Sequence, residues 1–469
     1  MALRLWRAED AEEWAYRGEG AANLVLGYCG SSPGLVGKVL RVQKVRRKKS
    51  AAKGVVREPG SPVLTSHERI LWKDVDKIGE CTSKDIAGQL YALHVMSPLL
   101  GAEHVDPGMH VAVSEEFLRS VEKNILDNRP SWRVDAARVN TLCDSALLMS
   151  DHSFFPRGTL NEDLCVAIEI KPKCGFLPFS KFIKRETIVK TRVTRFKMHQ
   201  VLKLHEGQIS WLSEYDPLDL FSGSRDRMNQ AIRALFHCPQ NNFRVFFNGS
   251  LVFGALGGGM DKDVVNDISH EKNEAFENML KTVIQEEHTQ HVQSFLELVG
   301  DAIFNSGIID RLLEVQKLDI FDIEGAIHAY YNIISQPCLI CQNLNDADLL
   351  NRCSSIHSLS LEESLKIVRG YLIATTAKDC SIMVSFRPRQ RNVTSDFGSV
   401  FLKSTGQTFD YKAYFIDLDM KHFRKMPYYY ELDQKIVEFY VNAESALVNG
   451  INSACPCVAQ NYSLSLSEC

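Results

Sequence analysis

The stretch Leu164-Cys165-Val166-Ala167-Ile168, running into Glu169-Ile170-Lys171-Pro172-Lys173-Cys174-Gly175-Phe176-Leu177-Pro178, constrains this chain more than any other. Its apolar, β-branched start reads as a buried strand, so the charged residues that follow fall at the strand end. Residues two apart on an extended chain share a face, which sets Lys171 beside Lys173 and brings Glu169 into line with them. Pro172 keeps Lys171 out of the helical region, and the Cys-Gly step turns the chain. Two ammonium groups held side by side repel unless an anion sits between them, so a phosphate or carboxylate ligand is expected. Two solvated lysines on an edge strand are the competing reading of the same spacing.

Charge decides what kind of anion site this is. Lys and Arg total 54 against 58 Asp and Glu, a formal net charge of −4. Bulk electrostatics therefore exclude a general nucleic-acid binder, and any anion site is a local concentration of cations. The 469 residues suffice for about two to four domains or one large two-lobed enzyme. No apolar run is long enough to span a bilayer, and no signal-peptide pattern opens the chain. The 13 Cys are scattered and odd in number, which suits a reducing cytoplasmic or nuclear setting with cysteines in the core or on a metal.

Cations recur along the chain. Gly18, Glu19, Gly20, Ala21, Ala22 and Asn23 form a small-residue loop between two apolar stretches, and Val36 to Val42 reads as a third strand carrying Arg41. Such a loop lets backbone N–H groups approach phosphates closely, although a plain β-meander has the same pattern. No GxxxxGK[ST], HRD or DFG motif is present, which excludes a P-loop enzyme and a standard protein kinase. Lys44, Arg46, Arg47, Lys48, Lys49 and Lys53 follow as a basic run, read as a solvated loop, an import signal or an anion contact. Ser66 to Trp72 has helical periodicity, with Glu68 placed to pair with Arg41. Arg129 and Arg133 flank Trp132, and Asp144 to His152 reads as a strand ending in the polar Ser150, Asp151 and His152, a hinge between lobes. Arg192, Arg195, His199 and Lys203 recur at helical spacing and would share one face. Asn241 lies in an Asx-rich turn before another strand, and residues 254–274 read as a Gly-rich insertion.

Two further constellations carry chemistry. His328, Cys338, Cys341 and His357 offer ligand types for a structural zinc ion, with Cys353 a rival fourth ligand and core or redox cysteines the alternative. Asp379 and Asp417 stand at the mouths of apolar strands, with Lys421, Lys425 and Tyr429 beyond. Strand-end carboxylates with nearby lysines suit metal-assisted phosphoryl transfer, one holding Mg²⁺ and one orienting the attacking hydroxyl. Helix capping is the alternative use of such residues.

RGEGAANLVL, VLRVQK, EIKPKCGFLP, RFKMHQ, PQNNFRVF, AKDCSIM and FIDLDMK together resemble the inositol-pentakisphosphate 2-kinase family in its plant form, from about Trp14 to Tyr440. The resemblance implies an α+β, two-lobed fold distantly related to protein kinases. Residues 1–149 would form a β-rich N-lobe, 150–152 the hinge, 153–455 an enlarged α/β C-lobe, and 456–469 a flexible tail. It implies an ATP- and Mg²⁺-dependent monomer acting on inositol pentakisphosphate, with a structural zinc and no nucleic-acid or membrane partner. In its terms Gly18, Glu19, Gly20, Ala21, Ala22, Asn23, Arg41, Ser150, Asp151, His152, Glu169 and Asp417 hold ATP. Arg46, Arg133, Lys171, Lys173, Arg195, His199, Lys203, Asn241, Lys421, Lys425 and Tyr429 line the inositide pocket. Asp379 faces the 2-hydroxyl and Lys171 joins the catalytic group. Asp417 binds magnesium, and His328, Cys338, Cys341 and His357 bind zinc.

Overall fold

The computed structural model describes residues 5–20, 22–47, 64–75, 77–81, 83–155, 164–254, 270–285, 291–344, 346–389 and 395–448. Ala21, Lys48, Lys49, Lys53, most of the Gly-rich insertion and the tail 456–469 lie outside the described residues.

Alternating apolar residues build two antiparallel sheets of six strands each. The first holds β1 (Trp14–Glu19), β2 (Asn23–Tyr28), β3 (Lys38–Arg46), β4 (Met109–Ala112), β5 (Ala137–Val139) and β6 (Ser145–Ser150). Its strand order is β1-β2-β3-β6-β4, with β5 paired to β3. Leu24, Leu26, Leu40 and Val42 point into a core shared with Trp6, Trp14 and Phe117. β4 ends at Ala112, and the Ser114 hydroxyl accepts a bond from the Phe117 N–H and caps the next helix.

The second sheet holds β7 (Val166–Ile170), β8 (Phe243–Phe247), β9 (Ser250–Phe253), β10 (Ser381–Pro388), β11 (Gly398–Leu402) and β12 (Gln407–Ile416), in the order β11-β12-β10-β7-β8-β9. Its central strand β7 is buried along its whole length, as the apolar run requires. Here the topology assembles the site. β10 runs antiparallel between β7 and β12, with Ile382 opposite Ile170 and Ser381 opposite Ile416. The start of β10 therefore lies beside the ends of β7 and β12. The start of β8 joins them, with Phe243 opposite Ile170. Lys171, Asn241, Asp379 and Asp417, spread across the sequence, all fall on one rim.

Helices pack against both sheets. Those used below are α1 (Ser66–Leu71), α2 (Glu115–Asn124), α3 (Arg195–His205), α4 (Ile308–Gln316), α5 (Asp322–Ile334), α6 (Ala347–His357), α7 (Leu361–Asp379) and α8 (Met426–Val448). Thr194 caps α3 by accepting from the Lys197 N–H, so the helix begins at Arg195. Arg192 is thereby excluded from the expected basic face and pairs instead with Glu444. Met198, Val201 and Leu202 lock α3 against Ile436 and Val437 of α8. The expected Glu68–Arg41 pair is not made. A capping box turns Glu68 back onto Thr65, and α1 packs on the second core, where Glu68 Oε1 also accepts from the Phe423 N–H at 3.2 Å. No helix among the described residues is long and apolar enough to cross a membrane.

Candidate active site

The rim begins where β7 stops. Its pleat ends at Ile170, so the common direction of Lys171 and Lys173 comes from a turn rather than from strand alternation. Lys173 has φ +62°, in the left-handed region that a non-glycine residue enters at a cost. Three hydrogen bonds over-determine the turn. The Gln316 amide donates to the Lys173 carbonyl at 2.8 Å and accepts from the Gly175 N–H at 2.8 Å, while Tyr215 Oη donates to the Pro172 carbonyl at 2.8 Å. Glycine is required at 175, since a Cβ there would lie 2.2 Å from the Phe221 ring.

Carboxylates and cations alternate along the rim. Lys171 Nζ lies 3.2 Å from Asp417 Oδ2, and Lys421 Nζ lies 2.5 Å from Asp379 Oδ2. Asp417 also sits at φ +62°. Burial opposes its charge, yet Lys171, Arg41 and Arg244 together hold its carboxyl below the usual range. Asp379 closes α7 with its side chain 62% exposed, open to a ligand. Burial first, then the Asp379 charge, push the Tyr429 phenol up to about 12. From the first sheet Arg41 reaches Asp419 Oδ1 at 2.5 Å, and the Asn23 amide oxygen, turned toward it, accepts from the same guanidinium. Glu169 is fully engaged, accepting from Arg244 Nη1 at 2.8 Å and from the Ser381 hydroxyl at 2.9 Å.

Beyond this lies a pocket with cations in excess. Lys173, Arg195, His199 and Lys203 converge there from the turn and from α3. Burial, then Lys171 and Lys203, push Lys173 down to about 8. Burial, then Lys203, Arg195 and Lys173, push His199 down to about 3. Burial alone lowers Lys203. Burial, and for Lys173 and His199 the neighbouring cations as well, disfavours their charged forms, and a polyanion would reverse that. Arg133 joins from the first sheet's side, stacking on Trp132 and donating from Nη1 to the Gly20 carbonyl at 3.3 Å. Arg46 and Lys425 are exposed, while Asn241 is half-buried in the turn before β8.

The small-residue loop joins β1 to β2, with the Gly20 N–H bonded to the Asn23 carbonyl at 2.9 Å and the Ala22 carbonyl accepting from the Lys44 N–H at 2.8 Å. Gly18 pairs with Val25 at a bulge. Glu19 turns away from the loop's open side, because Lys44 and Arg129 hold its 1%-exposed carboxylate from below. Arg17 ties the loop to the second sheet through the Gly249 carbonyl at 2.6 Å. At the end of β6, the Ser150 N–H bonds Asp106 and its hydroxyl accepts from Lys38 Nζ at 3.1 Å. Asp151 and His152 are buried, with the His152 ring stacked 3.9 Å from Tyr414.

A separate His/Cys cluster lies behind the sheet. His328 Nδ1 is 3.3 Å from His357 Nε2, 3.3 Å from Cys338 Sγ and 3.4 Å from Cys341 Sγ, and Cys341 Sγ is 3.3 Å from His357 Nε2. A tetrahedral zinc ion separates its nitrogen and sulfur ligands by roughly 3.3–3.8 Å, so the four atoms fit such an ion. Cys353 approaches the opposite nitrogen of the ring, its Sγ 3.2 Å from His328 Nε2, and also touches Cys341. Asn332 Oδ1 orients His357 through Nδ1 at 2.8 Å. Burial, then the neighbouring Cys338 thiol, push Cys341 up to about 12, which a bound cation would undo.

Sequence reading passed over four residues that this geometry brings in: Arg244 on Glu169, Asp419 on Arg41, Gln316 in the turn, and Asp433, which bonds Arg195. Arg244 carried a signal, standing as a charge between the buried Phe243 and Val245. So did Asp433, which shares the i, i+3, i+4 face of α8 with Ile436 and Val437.

Known proteins match the chain along nearly its whole length. A family model for inositol-pentakisphosphate 2-kinase matches residues 16–435. The chain is similar to the inositol-pentakisphosphate 2-kinase of Oryza sativa subsp. japonica, 53% identical over 436 residues that cover 92% of this chain and 94% of that protein. It is 52% identical to the Arabidopsis thaliana enzyme of that name over 442 residues, covering 93% and 95%. With the Danio rerio enzyme of that name it is 29% identical over 493 aligned residues, with the same coverage. On the breadth of that match and the identity to the plant enzymes, the chain belongs to the inositol-pentakisphosphate 2-kinase family.

Proposed function

We propose that this chain transfers the γ-phosphoryl group of ATP to the 2-hydroxyl of inositol 1,3,4,5,6-pentakisphosphate, giving inositol hexakisphosphate. One observation carries the reading: a pocket of under-compensated cations opens beside two carboxylates on the same sheet rim, Asp379 at the end of α7 and Asp417 just past β12. A densely phosphorylated acceptor supplies the missing anions, and few other metabolites could. The two sheets then read as the N- and C-lobes of a kinase-like fold, meeting at a hinge at 150–152.

The residues divide the work. The loop from Gly18 to Asn23, with Arg41, faces the phosphates of ATP, and Ser150 to His152 the adenine. Lys171, Lys173, Arg195, His199, Lys203 and Lys421 receive the inositide phosphates, with Arg46, Arg133, Asn241, Lys425 and Tyr429 around them. Asp379 orients the 2-hydroxyl and accepts its proton as the new O–P bond forms and the bond to ADP breaks. Lys421, 2.5 Å from Asp379, steadies the ionised carboxylate before the acceptor arrives. Lys171 offsets charge between donor and acceptor, which otherwise repel. Asp417 would hold Mg²⁺, which supplies charge neutralisation at the transferring phosphates. His328, Cys338, Cys341 and His357 would hold a zinc ion whose role is structural.

Purified protein given ATP, Mg²⁺ and a panel of inositol phosphates, with products separated by anion exchange, tests this. Hexakisphosphate from the 1,3,4,5,6-isomer is expected. Binding without turnover would favour a non-catalytic inositide-binding protein, and turnover only of less phosphorylated inositols a different kinase.

A further inference from the structure

Beneath the cationic pocket lies a second charged cluster. Lys190 is buried, its Nζ 2.5 Å from Asp322 Oδ1, 3.2 Å from Glu324 Oε1 and 2.7 Å from Asp433 Oδ2. The three carboxylates could hold a metal ion by their spacing, but the ammonium already fills that place. One lysine cannot balance three carboxylates, and Asp433 is shared with a second cation. Its second oxygen, Oδ1, faces outward and lies 2.5 Å from Arg195 Nη1. Arg195 opens α3, and its side chain is 39% exposed. Its Nε and Nη2 make no hydrogen bond among the described residues. The packing of α3 on α8 fixes both backbones, so neither partner can drift.

We propose that Asp433 is a positioning residue for acceptor recognition: anchored inward by Lys190, it holds one corner of the Arg195 guanidinium and presents the remaining N–H edge to a phosphate of the inositide. The inference rests on Arg195 being an inositide contact. A planar guanidinium can serve two anions at once, one per edge, whereas a lysine ammonium on the same stem cannot span them. Holding the side chain before binding removes an ordering cost that a free arginine would meet on every encounter. The Lys190 cluster is what keeps Asp433 ionised and still, which explains why a lysine sits where the carboxylates alone would repel.

The test is a set of variants read by KM for the pentakisphosphate, KM for ATP and kcat. Arg195→Ala should raise the inositide KM and leave the ATP KM alone. Arg195→Lys should fall within about threefold of Arg195→Ala, because charge without the fork is not enough. Asp433→Asn should raise the inositide KM by roughly three- to tenfold with kcat nearly unchanged. The double variant Arg195→Ala/Asp433→Asn should be no worse than Arg195→Ala alone. Arg195→Lys leaves the Lys190 cluster intact, so it decides the matter even if Asp433→Asn does not fold. A wild-type inositide KM for Arg195→Lys, or additive losses in the double variant, would overturn the role of Asp433. An unchanged KM in Arg195→Ala would instead remove Arg195 from the inositide site, and this proposal with it.

Discussion

Lys173→Met deletes one ammonium from the pocket and keeps its stem. In the free protein that ammonium sits near a pKa of about 8, pushed down by burial and by Lys171 and Lys203. It is therefore mostly charged at pH 7, half charged at pH 8 and mostly neutral at pH 9. A bound polyanion restores the usual preference for charge, near 10.5. The bound-state pKa thus lies above the free-state one, so the affinity contributed by Lys173 is complete below pH 8 and fades as pH rises through it. Between pH 7 and 9 the wild-type Kd for the pentakisphosphate should rise about tenfold from this group, with uptake of about half a proton at pH 8. Removing Lys173 also relieves His199, but His199 takes up its proton at lower pH than this window, and the ligand's own phosphates titrate alike in wild type and variant. Calorimetric titrations at pH 7, 8 and 9, in buffers of different ionisation enthalpy, isolate the difference. The same pH slope and the same proton uptake in Lys173→Met and wild type would refute the reasoning.

Three further outcomes are expected. Asp379→Asn should cut turnover by on the order of 10²–10⁴-fold without weakening inositide binding, while Asp417→Asn loses turnover that raised Mg²⁺ partly restores; rescue of Asp379→Asn by Mg²⁺ would exclude it as the base. Metal analysis should find one zinc per chain, lost in Cys338→Ser together with thermal stability, and a metal-free wild type would end the zinc assignment. Gly175→Ala should destabilise by about 1–3 kcal/mol in denaturant titration, because its Cβ would collide with Phe221; unchanged stability would show that the turn yields.

Local pattern made the strands legible, because alternation and apolar runs report burial directly. β7 and the β1–β2–β3 meander form as the residues suggest, but β7 runs two residues later, Val166–Ile170, and β3 runs from Lys38 to Arg46, taking in the start of the basic run. The rim was not legible in the same way. Nothing in the sequence says that β10 lies between β7 and β12, and only that order brings Asp379 and Asp417 onto one rim with Lys171. The failed Glu68–Arg41 pair has the same origin: a helix reads as a helix, but its docking surface depends on distant partners. Arg41 found Asp419 instead, which the FIDLDMK segment displayed without ranking. The His/Cys spacing named a ligand set that clusters, while the approach of Cys353 to the other nitrogen of His328 needed the geometry of the ring.

Lys173 and Asp417 share a further property, a left-handed backbone that glycine would adopt freely. Each such residue costs roughly 1–2 kcal/mol relative to a relaxed one. Lys173→Gly would also relieve the repulsion with Lys171 and Lys203. Both glycine variants should therefore melt above the corresponding alanine variants while lacking the proposed acceptor grip or metal ligand. Selection for thermal robustness alone would erode this site first.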